Sequence, residues 1–420
     1  MDLTWIGKVI TTLFFAIGHG AGWVAAFNRI NATAIHRDAI KVIEKCFILL
    51  CFAIPARFLA EHLSTLLVWY HHADWSIPNL GWWWNGYLGC CGMAFILLVP
   101  EWIANRLPLL RPSSYIVQST SREWDLRKVL PTPILQSPSA RWLASLEFNE
   151  VGMLEVNEKH LYHPAVPPVW HHLRIGHISD VHLTGKLSID YQRFAMERLA
   201  ELRPDIIFLA GDIVDFHHQV QNLRAVLGPL HARLGKYFVL GNHDRRLANP
   251  DEIREELAKL GWTDLGRGSV HLWEGNKSLR LWGNERPWFP LARPQTNLLD
   301  ERLSEDNSEF RIALSHSPDQ WRWAQKLEAH WFLAGHTHGG QVRIPGLGPL
   351  VTPSWYGTKY ASGVFMEEPV LMHVSRGLSG VHMLRWRCKP EVSLLVPSTA
   401  QPIPIDEKQW APAAWDGATG

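Results

Sequence analysis

Two histidines one residue apart, His336 and His338, stand between glycines directly after the apolar run Trp331-Phe332-Leu333-Ala334. The juxtaposition recurs upstream. Asp180-Val181-His182 closes an apolar run at residues 175–179, and Gly211-Asp212-Ile213-Val214-Asp215 closes one at 206–210. Gly241-Asn242-His243-Asp244 follows the run at 237–240, and Ser315-His316 follows the run at 312–314. Short apolar runs bounded by glycine read as buried strands, so these polar side chains sit where strands end and the backbone turns. In α/β sheets ligands collect beyond the carboxyl ends of strands. Oxygen and imidazole donors converging from separate strand ends suit two divalent cations.

In order and spacing, these blocks resemble the calcineurin-like metallophosphoesterases across residues 172–397. Residues 335–345, with Val374-Ser375-Arg376-Gly377-Leu378, resemble a membrane-associated branch. That branch holds bacterial phosphodiesterases and a UDP-2,3-diacylglucosamine pyrophosphatase of lipid A synthesis. The resemblance implies an α/β fold of two packed β-sheets flanked by helices, and hydrolysis of a phosphoric ester or anhydride. It implies Asp180, His182, Asp212 and His338 as ligands of one metal, and Asp212, Asn242, His316 and His336 as ligands of the second. Asp212 would bridge, since a carboxylate has two oxygens and can span ions about 3.5–4 Å apart. Nitrogen and oxygen donors without thiolate suit manganese, iron or zinc. His243 resembles the family histidine that assists the leaving oxygen, and Asp244 is expected to orient its imidazole and keep it protonated. Asp215 is read as bracing its loop. Arg245, Arg246 and Arg343 are candidates to hold a second phosphate or an anionic headgroup, against simple solvation. His217 and His218 read as loop histidines. Trp288, Phe289, Trp355 and Tyr356 line either an apolar mouth or the core.

The elements that must position these residues alternate strand and helix. Ala195, Leu199 and Leu202 mark one helix, and Val220, Leu223, Leu227, Leu230 and Leu234 another. Asn249-Pro250-Asp251-Glu252 opens a third, which stops at Gly261. Residues 269–274 and 278–282, joined by Gly275-Asn276, predict a hairpin, and further strands follow Met383. Residues 113–171 are expected to be linker plus a first strand within 141–158, with His160, His163, His171 and His172 as loop or surface histidines. A poorly ordered tail is expected at 398–420.

Residues 1–112 read as a helical membrane region. Residues 4–27, 46–70 and 82–100 are apolar; the last has no charge, and the middle one is interrupted by Pro55, Arg57 and Glu61. Trp82-Trp83-Trp84 suits a membrane–water boundary. Arg29, Arg37, Lys41 and Lys45 lie between the first two stretches, whereas residues 71–81 carry no lysine or arginine. With three crossings, the positive-inside rule puts the catalytic unit on the cytoplasmic face of a multi-pass inner-membrane protein. With two crossings it lies outside. Net charge is +1 without a long basic run, which gives no ground for nucleic acid as substrate. The five cysteines form neither a disulfide framework nor a CxxC site. The expected function is a membrane-anchored dinuclear phosphoesterase acting on a lipid-linked or nucleotide phosphodiester or pyrophosphate, in its sharpest form UDP-2,3-diacylglucosamine hydrolysed to acyl-sugar phosphate and UMP. Alternatives are a general phosphodiesterase outside the membrane and a catalytically silent scaffold.

Overall fold

The computed structural model describes residues 3–72, 78–106, 113–291 and 309–401. Three helices open the chain: α1 (Leu3–Asn31), α2 (Arg37–His71) and α3 (Gly81–Arg106). α1 runs antiparallel to α2. Lys8 near its start donates to the Trp69 and His72 carbonyls (2.5 and 2.6 Å), while His19 further along meets the Cys51 carbonyl at 2.9 Å. α1 runs parallel to α3, since Tyr87 meets His19 and Ala94 meets Gly22. A Cβ at Gly18 would overlap the Cys91 carbonyl, so glycine is what lets these two helices close up. Pro55 lies inside α2 without ending it. Its interior charges are paired: Arg57 with Glu61 at 2.7 Å, and Glu61 with the Trp84 indole N–H at 2.7 Å. By length and composition α1 and α3 could each cross a membrane.

Two mixed sheets follow. The first has the order β1-β2-β15-β3-β4-β5-β6. Its strands are β1 (Ile116–Asp125), β2 (Met153–Tyr162), β3 (Ile175–Ile178), β4 (Ile206–Ala210), β5 (Lys236–Val239), β6 (Trp262–Asp264) and β15 (Glu391–Ser398). The second has the order β13-β14-β10-β9-β8-β7. It comprises β7 (Ser269–Glu274), β8 (Lys277–Asn284), β9 (Glu309–Ser315), β10 (Trp331–Ala334), β13 (Gly363–Glu367) and β14 (Val370–Val374). A small hairpin joins β11 (Arg343–Ile344) to β12 (Gly348–Pro349). β3 to β6 are mutually parallel, as are β8, β9, β10 and β14. Their near-continuous apolar sequences fit strands covered on both faces. Between the sheets pack Phe208, Val239, Phe310, Ile312, Trp331 and Leu333. On the outer face of the first, Tyr191, Met196 and Leu199 from helix Ile189–Glu201 cover Ile207 and Leu209.

The hairpin at Gly275-Asn276 forms as expected. Three local expectations fail. The strand expected within 141–158 starts later, as β2, and the stretch expected to be linker ahead of it holds a further strand: β1 pairs antiparallel with β2, which pairs in turn with β15. β1 was hidden because its middle residues are exposed on both faces, so no apolar alternation marks it. Residues 138–144 form a helix rather than the start of that strand. The helix expected over 220–234 shrinks to a 3-10 turn (His217–Asn222) and Leu223–Leu227, ended by Gly228-Pro229. The expected C-terminal tail lies, beyond Gln401, outside the described residues.

Candidate metal centre

β3, β4 and β5 of one sheet and β9 and β10 of the other point their carboxyl ends at one place. Asp180 and His182 follow β3, Asp212 follows β4, Asn242 and His243 follow β5, His316 follows β9, and His336 and His338 follow β10. The turns that aim these side chains inward are strained. Asp180, His182, Asp212, His336 and His338 all have positive φ, between 46° and 70°. Glycines make the room: a Cβ on Gly241 would overlap Asp212 Oδ1, and one on Gly335 would overlap Asp180 Oδ2.

Donor atoms of Asp180, His182, Asp212 and His338 lie within 4.8 Å of one another, as do those of Asp212, His316 and His336. Asn242 Oδ1 joins the second group at 3.2 Å from His316 Nε2. Asp212 belongs to both groups through one oxygen. Its Oδ2 lies 3.2 Å from His316 Nε2 and 3.6 Å from His182 Nε2, while Oδ1 accepts the His243 backbone N–H at 2.7 Å.

The donor chemistry calls for cations. His316 donates from Nδ1 to the Ala210 carbonyl (2.6 Å) and His182 from Nδ1 to Asp215 Oδ2 (2.8 Å). In each neutral ring the Nε2 lone pair then faces inward. There His316 Nε2 meets His336 Nδ1 at 3.1 Å and His182 Nε2 meets His338 Nε2 at 3.3 Å, beside buried carboxylates. Converging lone pairs with few protons between them repel unless positive charge stands among them. The field there is negative. Burial works against charge on His182 and His316, yet Asp215 beside the first and Asp212 beside the second push both up to about 9. Protons would then fill the place of cations, and the rings present lone pairs only when metal displaces those protons. Asp212 and Asp215 stay well below the usual carboxylate range, burial being outweighed by His316 and His182 respectively.

Asp244 does not orient His243. Its Oδ1 accepts the Ile213 and Val214 N–H groups (both 2.9 Å) and its Oδ2 that of Gly241 (2.8 Å), tying the β4 and β5 turns together. Asp215 takes that place, with Oδ1 at 2.5 Å from His243 Nδ1 and Oδ2 on His182. The second aspartate of Gly-Asp-x-x-Asp carried the signal: three residues past Asp212, it lies on the same turn. Burial draws the His243 pKa below the ordinary imidazole value, with Asp212 and Asp215 opposing it.

Among the arginines, Arg246 Nη1 reaches His243 Nδ1 at 2.8 Å. Arg245 points instead to the Ala34 carbonyl between α1 and α2 (3.2 Å). Arg343 is tied to the Gly339 carbonyl (2.9 Å) and to Ser362, so it braces the His338–Gly340 turn. His217 pairs with Glu252, and His218 stacks on Phe216. Trp288 packs edge-on against His316 and His336 (centroids 5.2 and 4.8 Å) as a wall of the centre. Phe289 lies under Arg254, Tyr356 packs with Trp321 and Tyr360, and Trp355 is exposed.

A family profile described as calcineurin-like phosphoesterase matches residues 173–340. The chain is 30% identical over 258 residues to the uncharacterized metallophosphoesterase YkuE of Bacillus subtilis, covering 58% of this chain and 86% of that one. It is 29% identical over 227 residues to the phosphodiesterase YaeI of Escherichia coli (53% and 81% covered). To the UDP-2,3-diacylglucosamine pyrophosphatase LpxG of Chlamydia trachomatis it is 25% identical over 314 residues (63% and 95% covered).

Proposed function

The chain belongs to the calcineurin-like phosphoesterases, and from that premise we propose a membrane-anchored enzyme that cleaves a phosphodiester or pyrophosphate bond in a lipid-linked substrate. It is a metal-dependent phosphoric ester hydrolase that uses two divalent ions. Asp180, His182, Asp212 and His338 would hold one, and Asp212, Asn242, His316 and His336 the other. Bound there, the ions supply Lewis-acid charge for the phosphoryl oxygens and a water nucleophilic at neutral pH. His243, with Nε2 at 3.9 Å from Asp212 Oδ2, is the residue assigned to exchange a proton with the leaving oxygen. Asp215 fixes its ring by holding the Nδ1 proton. Arg246 adds positive charge at the same rim. The observation that carries this reading is the inward convergence of imidazole lone pairs and buried carboxylates from two sheets.

The membrane placement has geometric support. α1 is parallel to α3 and antiparallel to α2, so a chain crossing on α1 and again on α3 must return along α2. Its paired interior charges lower the cost of that passage. Three crossings put the arginine- and lysine-bearing α1–α2 connection and the catalytic unit on one side, which the positive-inside rule makes cytoplasmic.

UDP-2,3-diacylglucosamine is the sharpest substrate proposal, resting on similarity to LpxG. Greater identity to YaeI favours a second reading, a phosphodiesterase of broader range. Purified, metal-loaded full chain incubated with UDP-2,3-diacylglucosamine decides between them. Release of UMP and the acylated sugar phosphate supports the first; hydrolysis of simple phosphodiesters alone supports the second.

A further inference from the structure

Besides the Arg245–Ala34 hydrogen bond, the catalytic unit meets the helix ends through the loop of residues 343–357. Asn28, buried in the last turn of α1, accepts the Thr352 N–H at 3.0 Å and donates to the Leu350 carbonyl at 3.4 Å. Arg106, the last residue of α3, donates to the Pro349 carbonyl. The loop then leans on the metal centre: a Cβ at Gly340 would overlap Pro349, and Arg343 bonds the Gly339 carbonyl. On this loop Leu347, Val351 and Trp355 are about half exposed, as are Ile35, four residues past the end of α1, and Ile103, in the last turn of α3. Their exposure does not come from a loose backbone. Leu347 sits in the β11–β12 turn, and Asp319 holds Ser354 Oγ (2.5 Å) and the Trp355 N–H (2.9 Å).

Exposed apolar side chains, a tryptophan among them, held on a loop that is bonded to the ends of two candidate membrane helices have the composition of a bilayer interface. We propose that residues 343–357 seat the catalytic unit on the bilayer crossed by α1 and α3. Leu347, Val351 and Trp355 enter the headgroup layer, and Asn28 latches the loop to the helices. The mouth of the metal centre is thereby held at the depth of lipid headgroups, so a phosphoester reaches it while its acyl chains stay in the membrane. The proposal rests on the phosphoesterase reading and on α1 and α3 spanning a membrane.

The test is full-length protein reconstituted in phosphatidylcholine–phosphatidylglycerol vesicles. It is assayed on a vesicle-borne lipid phosphodiester and on water-soluble bis(p-nitrophenyl) phosphate. Leu347→Ser/Val351→Ser should lower kcat/KM on the lipid by about tenfold or more, since two side chains lose an apolar environment. Its rate on the soluble ester and its metal content should hold. Equal rates for variant and wild type on the lipid overturn the proposal. So does a matched loss on both substrates with loss of metal, which makes the loop only a brace, or a change of oligomeric state in detergent, which assigns the face to a second copy. No hydrolysis of either substrate by the wild type refutes the phosphoesterase reading itself; hydrolysis of the soluble ester alone refutes only the lipid.

Discussion

Asp215 makes two hydrogen bonds to histidines with different duties, and this allows the roles to be separated. Through Oδ2 it fixes His182, a proposed ligand, and through Oδ1 it fixes His243, the proposed proton carrier. Asp215→Asn keeps the size and removes the charge. It should lower both metal affinity and turnover by about 10–100-fold, the usual cost of losing a carboxylate behind a ligating histidine. His243→Ala should instead leave metal content intact and lower turnover by about a hundredfold or more, less on activated aryl esters that need no proton on departure. Metal titration alongside kcat on activated and unactivated esters reads both; loss of metal in His243→Ala would make it a ligand. The positions of these side chains were legible in the sequence, because strand ends are marked by apolar runs broken by glycine. Which aspartate serves which histidine was not. Asp215 lies three residues past Asp212 and Asp244 two past Asn242, and only the paths of the β4 and β5 turns decide that Asp244 faces backbone N–H groups.

At the level of elements, the central strands were readable because burial on both faces makes them uniformly apolar. β1 was not, since an exposed edge strand carries no such mark and is held by its ladder to β2. β2 in turn lies between β1 and β15, so the unit's first sheet starts well before the first ligand. A chain beginning at residue 172 should therefore aggregate, as β15 loses its parallel partner and becomes an unprotected edge. One beginning at residue 113 keeps both strands and should remain soluble in mild detergent. Size-exclusion profiles of the two distinguish the outcomes, and a monodisperse, metal-binding chain from 172 would show β1 and β2 to be dispensable.

On the scale of the whole molecule, the catalytic unit and the helices are joined at one end of the bundle, where Asn28, Ala34 and Arg106 meet it. Sequence alone left two or three crossings open, because α2 carries Pro55, Arg57 and Glu61 where a crossing helix is expected to be apolar. The directions of α1, α2 and α3 favour three, and a reporter fused to the C-terminus should then be active only in the cytoplasm; activity outside would contradict that topology. The central claim, that strand ends of two sheets build a two-metal hydrolytic centre, is tested most directly by metal stoichiometry followed together with activity. Protein stripped with chelator should lose hydrolysis of bis(p-nitrophenyl) phosphate and regain it as two equivalents of manganese bind, while Asp212→Ala, lacking the shared oxygen, should neither bind two nor recover. Full hydrolysis by the stripped protein, or two ions and normal turnover in Asp212→Ala, would contradict the account.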